Sequence, residues 1–560
     1  MKKSKFFSLF STTLICSSLM TTIPVSAADA KNGNVSVNPQ NQVEQQEKNV
    51  PNTTTSFVLT KNDDKKTVDN TVNYIKSQGI KVKSVIPEIG WIETDRTSQQ
   101  QEKKIEKNTN ADVQTPDKKA NDSYTPTAIP SSSDPDNPMN KYLWDRQWNM
   151  HMMSKDPEKY VNDKNSHVKV GIIDSGITSD YRNELGSKVR YTENFVPQGG
   201  FNNQDNDENG NANDVEDRIG HGTSVTSLIM GTDEMVGVNP NVTVDEYRVF
   251  SQKGCNPSWV LKALVKAVDN GDDVINMSLG RYGIITGGYY GQNGYNDLAE
   301  YQAWTRAVEY AKQHGSTVVV AAGNESLNLD DSQAITNYIN KKNPQVHAQG
   351  QGASLPASVP GIIQVAATGN QGERSEYSCY SKDSVYAPGG DSNRTGIDNP
   401  IQQYIPTDWL LTYSGHNGQY SFGLGTSFSA PEVTGMIAHE ISENNLYNNP
   451  DGVKSKLQSS LETNKYGLPC VTLNKLVGNN SNSSSKNNSS HNSSSKKVNN
   501  SSSSAIINNS SSLISSNIIS SNSSSNKSSK SSSISSSSSQ SSSSDDGDDD
   551  WWNSNWWWGY

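Results

Sequence analysis

The chain has 560 residues with 48 basic and 59 acidic side chains, a formal net charge of −11. That length accommodates one large domain with accessory segments, and the acidic excess argues against a nucleic-acid partner, which calls for a basic surface. The four cysteines, Cys16, Cys255, Cys379 and Cys470, are too few for a disulfide scaffold, and none stands in a metal-ligand spacing.

In chain order, residues 1–27 read as a signal peptide. Lys2, Lys3 and Lys5 precede an apolar stretch that ends in the small residues Val25-Ser26-Ala27. Export follows, and removal of Cys16 leaves an odd number of thiols. Residues 28–55 are polar and Asn/Gln-rich, a disordered linker. Residues 56–95 contain a strand (SFVLT), a helix closed by Gly79 (KTVDNTVNYIKSQG) and two further strands (IKVKSVIPEIGWIETD). That α+β module is marginal by itself. Residues 96–139 turn charged and Pro/Ser-rich and read as a linker, with Lys118-Lys119 as a candidate maturation site.

Residues 140–478 alternate strands and helices. HVKVGIID, NVTVDEYRVF, DDVINMSL, STVVVAAG and GIIQVAATG are short apolar runs suited to buried parallel strands, and SWVLKALVKAVDNG and LAEYQAWTRAVEYAKQHG are helices closed by Gly. The expected fold is α/β, a mostly parallel sheet with helices on both faces. Residues 479–544 are Ser/Asn-rich with no period able to pack a core, a disordered low-complexity tail, and 545–560 are acidic and Trp-rich.

Ser427, in GLGTSFSAP, opens a helix, and a serine hydroxyl needs a base to become a nucleophile. His221, between Gly220 and Gly222, can accept its proton, and Asp174, at the end of HVKVGIID, can orient the imidazole. The helix N-terminus at Ser427 and the amide of Asn324, in VVVAAGNES, offer donors to an oxyanion. Each motif alone is weak, since a lone Asp after a strand is commonly a cap. Four Gly-flanked motifs in one chain are far more specific.

From about Asp134 to Val477 the chain resembles the subtilisin-like serine proteases, in DSG, GHGTS, AAGN and GTSFSAP and in the supporting VGVNPNVTVDEYRVF, NMSLG and LPASVPGIIQVAAT. The resemblance implies Asp174, His221 and Ser427 as catalytic triad and Asn324 as oxyanion donor. It also implies that Ser278, Leu279 and Gly280 line the S1 pocket and pair with substrate backbone. Two departures, Ser224 where the family has a second His and Phe428-Ser429-Ala430 after the nucleophile, bear on substrate preference and not on the chemistry. Among subtilases the chain is most similar to the lantibiotic leader peptidases, which implies a bacteriocin precursor as the partner. A general extracellular or surface-processing subtilase is the alternative, and a non-catalytic surface binding protein a remoter one. The module at 56–95 stands where subtilases carry a propeptide that chaperones folding and inhibits. No cofactor is expected for the chemistry.

Glu325 follows Asn324, at a position the resemblance sets in the S1 pocket, where its carboxylate would favour a basic P1 residue. Residues Asp205, Asp207, Asn209 and Glu216 fit D-x-[DN]-x-[DN]-G-x5-E, the spacing of a structural calcium loop, against the plainer reading of a solvated acidic loop. The six aromatics from Trp551 to Tyr560 could retain the secreted protein at the cell wall or surface.

Overall fold

The computed structural model describes residues 55–115, 125–126, 129–130, 143–154, 167–232, 235–292, 294–391, 408–413 and 420–473. The expected signal peptide, the Lys118-Lys119 site and the C-terminal tail lie outside them. The described residues all fall in the first of the chain's two compact units, 1–488 and 489–560.

The N-terminal module is a four-stranded antiparallel sheet in the order β2-β3-β1-β4, from β1 (Thr55–Thr60), β2 (Val82–Ile86), β3 (Trp91–Asp95) and β4 (Ala111–Gln114). Helix α1 (Lys65–Ser77) is capped by Asp64, whose side chain accepts the Thr67 N–H. The linker expected from residue 96 onward is corrected here. Gln99–Asn108 form helix α2 and β4 completes the sheet. Hydropathy hid this helix, because Ile105 is its only buried residue. A capping box, Ser98 with Gln101 three residues on, was the available signal.

Two short strands follow, β5 (Thr125–Pro126) and β6 (Ile129–Pro130), and then two helices, α3 (Leu143–Arg146) and α4 (Trp148–Met153). The main sheet has nine strands. Seven of them run parallel in the order β15-β14-β12-β10-β7-β9-β8: β7 (Lys169–Asp174), β8 (Val189–Asn194), β9 (Thr243–Arg248), β10 (Val274–Met277), β12 (Thr317–Ala321), β14 (Ile363–Thr368) and β15 (Val385–Pro388). The hairpin β18 (Glu462–Thr463) and β19 (Pro469–Cys470) extends one edge. The parallel strands are buried on both sides, as their continuous apolar runs require.

Each face has its own core. On one, α7 (Pro257–Asp269) and α8 (Leu298–Gln313) pack on Ile173, Ile275, Val318 and Val320, together with Phe57, Leu59 and Trp91 of the module. On the other, α6 (His221–Met230), α10 (Thr426–Asn444) and α11 (Pro450–Ser460) pack on Ile172, Val274, Val319 and Ala321. Alternate residues of each strand serve alternate faces, the period of two at work. Helix α5 (Ser179–Leu185) follows β7, and α9 (Ser332–Lys342) lies against a long hairpin-like pair, β11 (Leu279–Tyr289) with β13 (Ala348–Leu355). A last antiparallel pair, β16 (Leu410–Tyr413) with β17 (Tyr420–Leu424), leads into α10.

Strand β7 lies between β10 and β9, so the connections leave it in opposite directions. The carboxyl ends of β7 and β10 therefore flank a topological switch point, where open α/β sheets place their sites.

Candidate active site

Asp174 ends β7 at that crevice and is fully buried. Its Oδ1 accepts the Ser175 N–H at 2.7 Å and faces His221 Nδ1 at 2.7 Å. His221 begins α6 with Gly220 at its N-cap in the left-handed region, φ 83°. The helix comes so close to the preceding turn that a Cβ on Gly222 would lie 2.4 Å from the Gly176 carbonyl oxygen. With Nδ1 engaged by Asp174, the imidazole turns Nε2 away from the acid. That nitrogen is buried and has no hydrogen-bond partner among the described residues. A buried polar atom without a partner costs about 1–3 kcal/mol, so such an atom is kept where a reaction uses it.

Ser427 is the second residue of α10. Pro431 stands four residues on, inside the helix, and cannot donate the bond that the Ser427 carbonyl would ordinarily receive. Ser278 Oγ supplies it instead, at 2.8 Å, while Ser427 Oγ donates to the Ser278 carbonyl at 2.9 Å. The helix is thereby stitched to the end of β10. A chain of bonds continues from Ser278 Oγ to Asn276 Nδ2 (3.0 Å) and from Asn276 Oδ1 to Thr434 Oγ1 (3.0 Å).

Asn324 follows β12. Its side-chain carbonyl accepts the Thr426 N–H at 3.0 Å and the Thr426 hydroxyl at 3.1 Å. Both bonds fix the amide so that its NH2 end is the donor beside the first turn of α10, where unpaired backbone N–H groups gather. The His221 ring stacks beside that of Phe428, the residue after Ser427, with centroids 6.0 Å apart, so Asp174, His221, Asn324 and Ser427 are brought to one place. A hydroxyl, an imidazole held by a carboxylate and an amide beside a helix N-terminus can together carry acyl transfer.

Leu279 and Gly280 open β11 immediately after Ser278, and Glu325 reaches toward the same strand. Its Oε2 accepts the Tyr282 hydroxyl of β11 and the Asn324 N–H (2.7 Å). Cys379 Sγ backs the turn, accepting the N–H groups of Glu325 and Leu327, each at 3.4 Å. Burial, with Glu325 next, pushes the Cys379 thiol up to about 12, and burial raises the Tyr282 phenol well above its usual range. Both therefore stay neutral donors toward Oε2. Glu325 itself is half-buried, and Oε1 accepts no hydrogen bond among the described residues.

The calcium-loop residues are not brought together. Asp205 is buried and its two oxygens accept the N–H groups of Asp207 (3.3 Å) and Gln252 (3.0 Å). Asn209 Oδ1 accepts from Asn211 N, and Glu216 points the other way to accept the Ser179 N–H at the start of α5. No cluster of three or more His, Cys, Asp or Glu side chains suited to a metal occurs among the described residues. Only the short 3-10 turn Phe201–Asn203, not an α-helix, leads into the loop. Glu208, inside it, instead forms a buried ion pair with Arg248 of β9.

Sequence reasoning missed Asp217, Thr426, Tyr282 and Cys379. Asp217 is fully buried and receives Ser175 Oγ, the N–H groups of Ile219, Gly220 and Thr223, and Thr223 Oγ1. It ties the turn after Asp174 to the start of α6 and so sets the Asp174–His221 distance. Its place four residues before His221 was the only local signal.

Fold and crevice together define a serine peptidase of the Asp-His-Ser type. The chain matches the subtilase family of S8 peptidases over residues 165–475 and belongs to that family. It is 36% identical over 327 residues to the nisin leader peptide-processing serine protease of Lactococcus lactis subsp. lactis, covering 58% of this chain and 47% of that relative. The chain thus spans about half the length of that curated relative. It is 31% identical to the epidermin leader peptide-processing serine protease of Staphylococcus epidermidis, covering 58% of this chain and 71% of the relative. The crystal structure of the epidermin leader peptide-processing serine protease from Staphylococcus aureus superposes with a TM-score of 0.62 at 27% identity, covering 76% of this chain and 98% of that one. Among the described residues no helix is long and apolar enough to cross a membrane.

Proposed function

We propose that the protein is a secreted serine endopeptidase that removes the leader peptide of a lantibiotic precursor after a basic P1 residue. One observation carries the chemistry: His221 keeps Nδ1 on Asp174 at 2.7 Å while its buried Nε2 is left without a partner. In this reading Nε2 takes the Ser427 proton as Oγ attacks the scissile carbonyl. Asn324 and the α10 N-terminus stabilise the oxyanion, and His221 protonates the leaving amine. Water then resolves the acyl-enzyme. Every group this chemistry needs is a side chain or backbone amide. The names of both curated relatives support a leader peptide as substrate.

Glu325 supports the basic P1 preference, since Tyr282 and Asn324 hold Oε2 and leave Oε1 for a substrate cation. Glu325→Gln is expected to lower kcat/KM on P1-Arg peptides by roughly ten- to a hundredfold, from about 1.5–3 kcal/mol for a charged hydrogen bond. Matched peptides with Arg, Lys, Leu and Phe at P1 test it, and a wild-type preference for Leu or Phe over Arg overturns the assignment.

A further inference from the structure

Val244, Glu246 and Arg248 alternate along β9 on the face that α6 covers, and its two ionisable residues differ in their partners. Arg248 forms the buried ion pair with Glu208, whereas Glu246, fully buried, has no ion-pair partner among the described residues. The register sets Glu246 beside Ile172 and Arg248 beside Asp174. Glu246 and Asp174 therefore lie one strand and two residues apart on the same face, with Cα atoms about 8 Å from each other. An anion at Glu246 would meet Asp174 of β7, Asp217 of the loop before α6 and its own neighbour Asp245, all acidic, and the phenol of Tyr181 on α5. On α6 it meets Thr226, five residues past His221.

The Thr226 hydroxyl lies 2.8 Å from Glu246 Oε1 and 3.0 Å from the Gly222 carbonyl oxygen. A hydroxyl has one hydrogen to give, and a carbonyl has none. If the Thr226 hydrogen goes to Gly222, the hydrogen in the shorter contact comes from Glu246. Burial, and after it the neighbouring acids, act in the same direction and raise the Glu246 carboxyl well above its ordinary range.

The peptide groups that follow His221 are held from two sides. The Gly222 N–H donates to Ser175 Oγ at 2.8 Å, and that hydroxyl donates to Asp217 at 2.8 Å. The Gly222 carbonyl faces the opposite anchor, Thr226 with Glu246 behind it.

We propose that Glu246 works as a neutral acid: its O–H donates to Thr226 Oγ1, whose own hydrogen goes to the Gly222 carbonyl, and this relay pegs the first turn of α6, and with it His221, to β9. Glu246 touches no substrate in this role. It is a positioning residue that acts through the Asp174–His221 geometry. The proposal rests on the catalytic reading of His221 and Ser427 and not on the P1 preference. Ionised, Glu246 would lose the first bond of the relay and set a second anion beside Asp174.

The experiment compares wild type with Glu246→Gln, Glu246→Leu and the double variant Glu246→Leu/Thr226→Val. Gln keeps a donor and cannot ionise, whereas Leu fills a similar space and donates nothing. The double variant replaces both partners by apolar groups, which costs little stability, so it carries the test where the single Leu variant does not fold. Values of kcat and KM are measured against pH on whichever of the P1 Arg, Lys, Leu and Phe peptides wild type cuts fastest, with infrared spectra near pH 7. Wild type should show the C=O band of an un-ionised carboxylic acid that Glu246→Gln lacks. In Glu246→Gln the acid-limb midpoint of kcat/KM, which reports His221, should not move, and kcat should stay within about twofold. Both Leu chains should lose roughly three- to tenfold in kcat with KM little changed, the effect of one neutral hydrogen bond.

An absent band, or a midpoint that falls in Glu246→Gln, shows that Glu246 was an anion favouring the imidazolium and overturns the proposal. Wild-type kcat in the Leu chains, or a loss on KM alone, overturns the positioning role. A wild type that cuts none of these peptides refutes the catalytic reading and the positioning role with it, while the infrared band still reports the proton.

Discussion

The two surfaces that flank the main sheet treat their polar groups in opposite ways. Where the N-terminal module meets α7 and α8, each named polar group has a partner. Trp91 Nε1 donates to Ser258 Oγ at 2.9 Å. Arg306 donates to the carbonyls of Thr60 (2.7 Å), Ile89 (3.0 Å) and Lys61 (3.0 Å), and Gln114 bonds Asp297 and the Glu300 N–H. None of the buried side-chain atoms lacking a partner belongs to these residues. At the crevice and along α6 and α10 the reverse holds, with His221 Nε2, Asp174 Oδ2, Glu246 Oε2 (its side chain against Thr226 of α6) and Glu432 Oε2 (in α10) all buried and unpartnered among the described residues. A satisfied surface is built to bind, whereas an unsatisfied one stores free energy for chemistry or for titration.

The largest effect that would break this contrast is on the satisfied side. Trp91 is fully buried, stacks on Phe57 with ring centroids 5.0 Å apart, and sits in the core shared with α7 and α8. Trp91→Ala, made in the Ser427→Ala chain so that nothing is cut, is expected to lose about 3–5 kcal/mol of stability, the range for truncating a large core aromatic. Urea unfolding of the two full-length chains measures it. A loss under about 1 kcal/mol would mean that the module rests on the enzyme without sharing its core.

How much of this contrast could be read from the sequence depends on how local the cause is. Asp174, His221, Asn324 and Ser427 were legible because each sits in a Gly-flanked turn whose tightness the chemistry requires. The parallel strands were legible as unbroken apolar runs. Asp217 and Thr426 were not, since a buried Asp or a Thr beside a nucleophile takes its meaning from partners far along the chain. Helix α2 was hidden by its charged composition although its capping box was in view. The calcium spacing is the opposite case: Asp205, Asn209 and Glu216 fit a local pattern, yet their side chains accept backbone N–H groups at separate places.

A middle-sized effect probes the unsatisfied side. Glu432 of α10 is fully buried, its Oε1 accepts Asn149 Nδ2 at 2.7 Å, and burial raises its carboxyl well above the ordinary 4.5. The folded state therefore keeps a proton that the unfolded state has lost. Stability must then fall as pH rises from about 4.5 toward the folded value, at up to about 1.4 kcal/mol per pH unit. Glu432→Gln keeps the acceptor for Asn149 and removes the titration. Its stability relative to the parent chain should climb between pH 5 and pH 7, read from urea midpoints. A difference that does not change with pH would show that Glu432 is not the group responsible.

The smallest effect concerns the acidic loop before His221, where the two ways of using a carboxylate can be told apart directly. Glu216 accepts the Ser179 N–H at 3.0 Å, placing a negative charge at the N-terminus of α5. Such a placement contributes about 0.3–1 kcal/mol, less when exposed and screened by salt. Glu216→Gln keeps an oxygen acceptor and removes the charge, so the expected loss lies at the low end, with a Tm change of no more than a few degrees. The same loss should appear in excess calcium and in chelator, because the interaction lies between the side chain and the helix. A calcium ligand would behave otherwise: stabilisation by a bound ion grows with its concentration, so the variant would lose far more in calcium than in chelator. Melting curves of parent and variant under both conditions decide it. A loss confined to the calcium arm would restore the loop as a metal site and remove Glu216 from the helix cap.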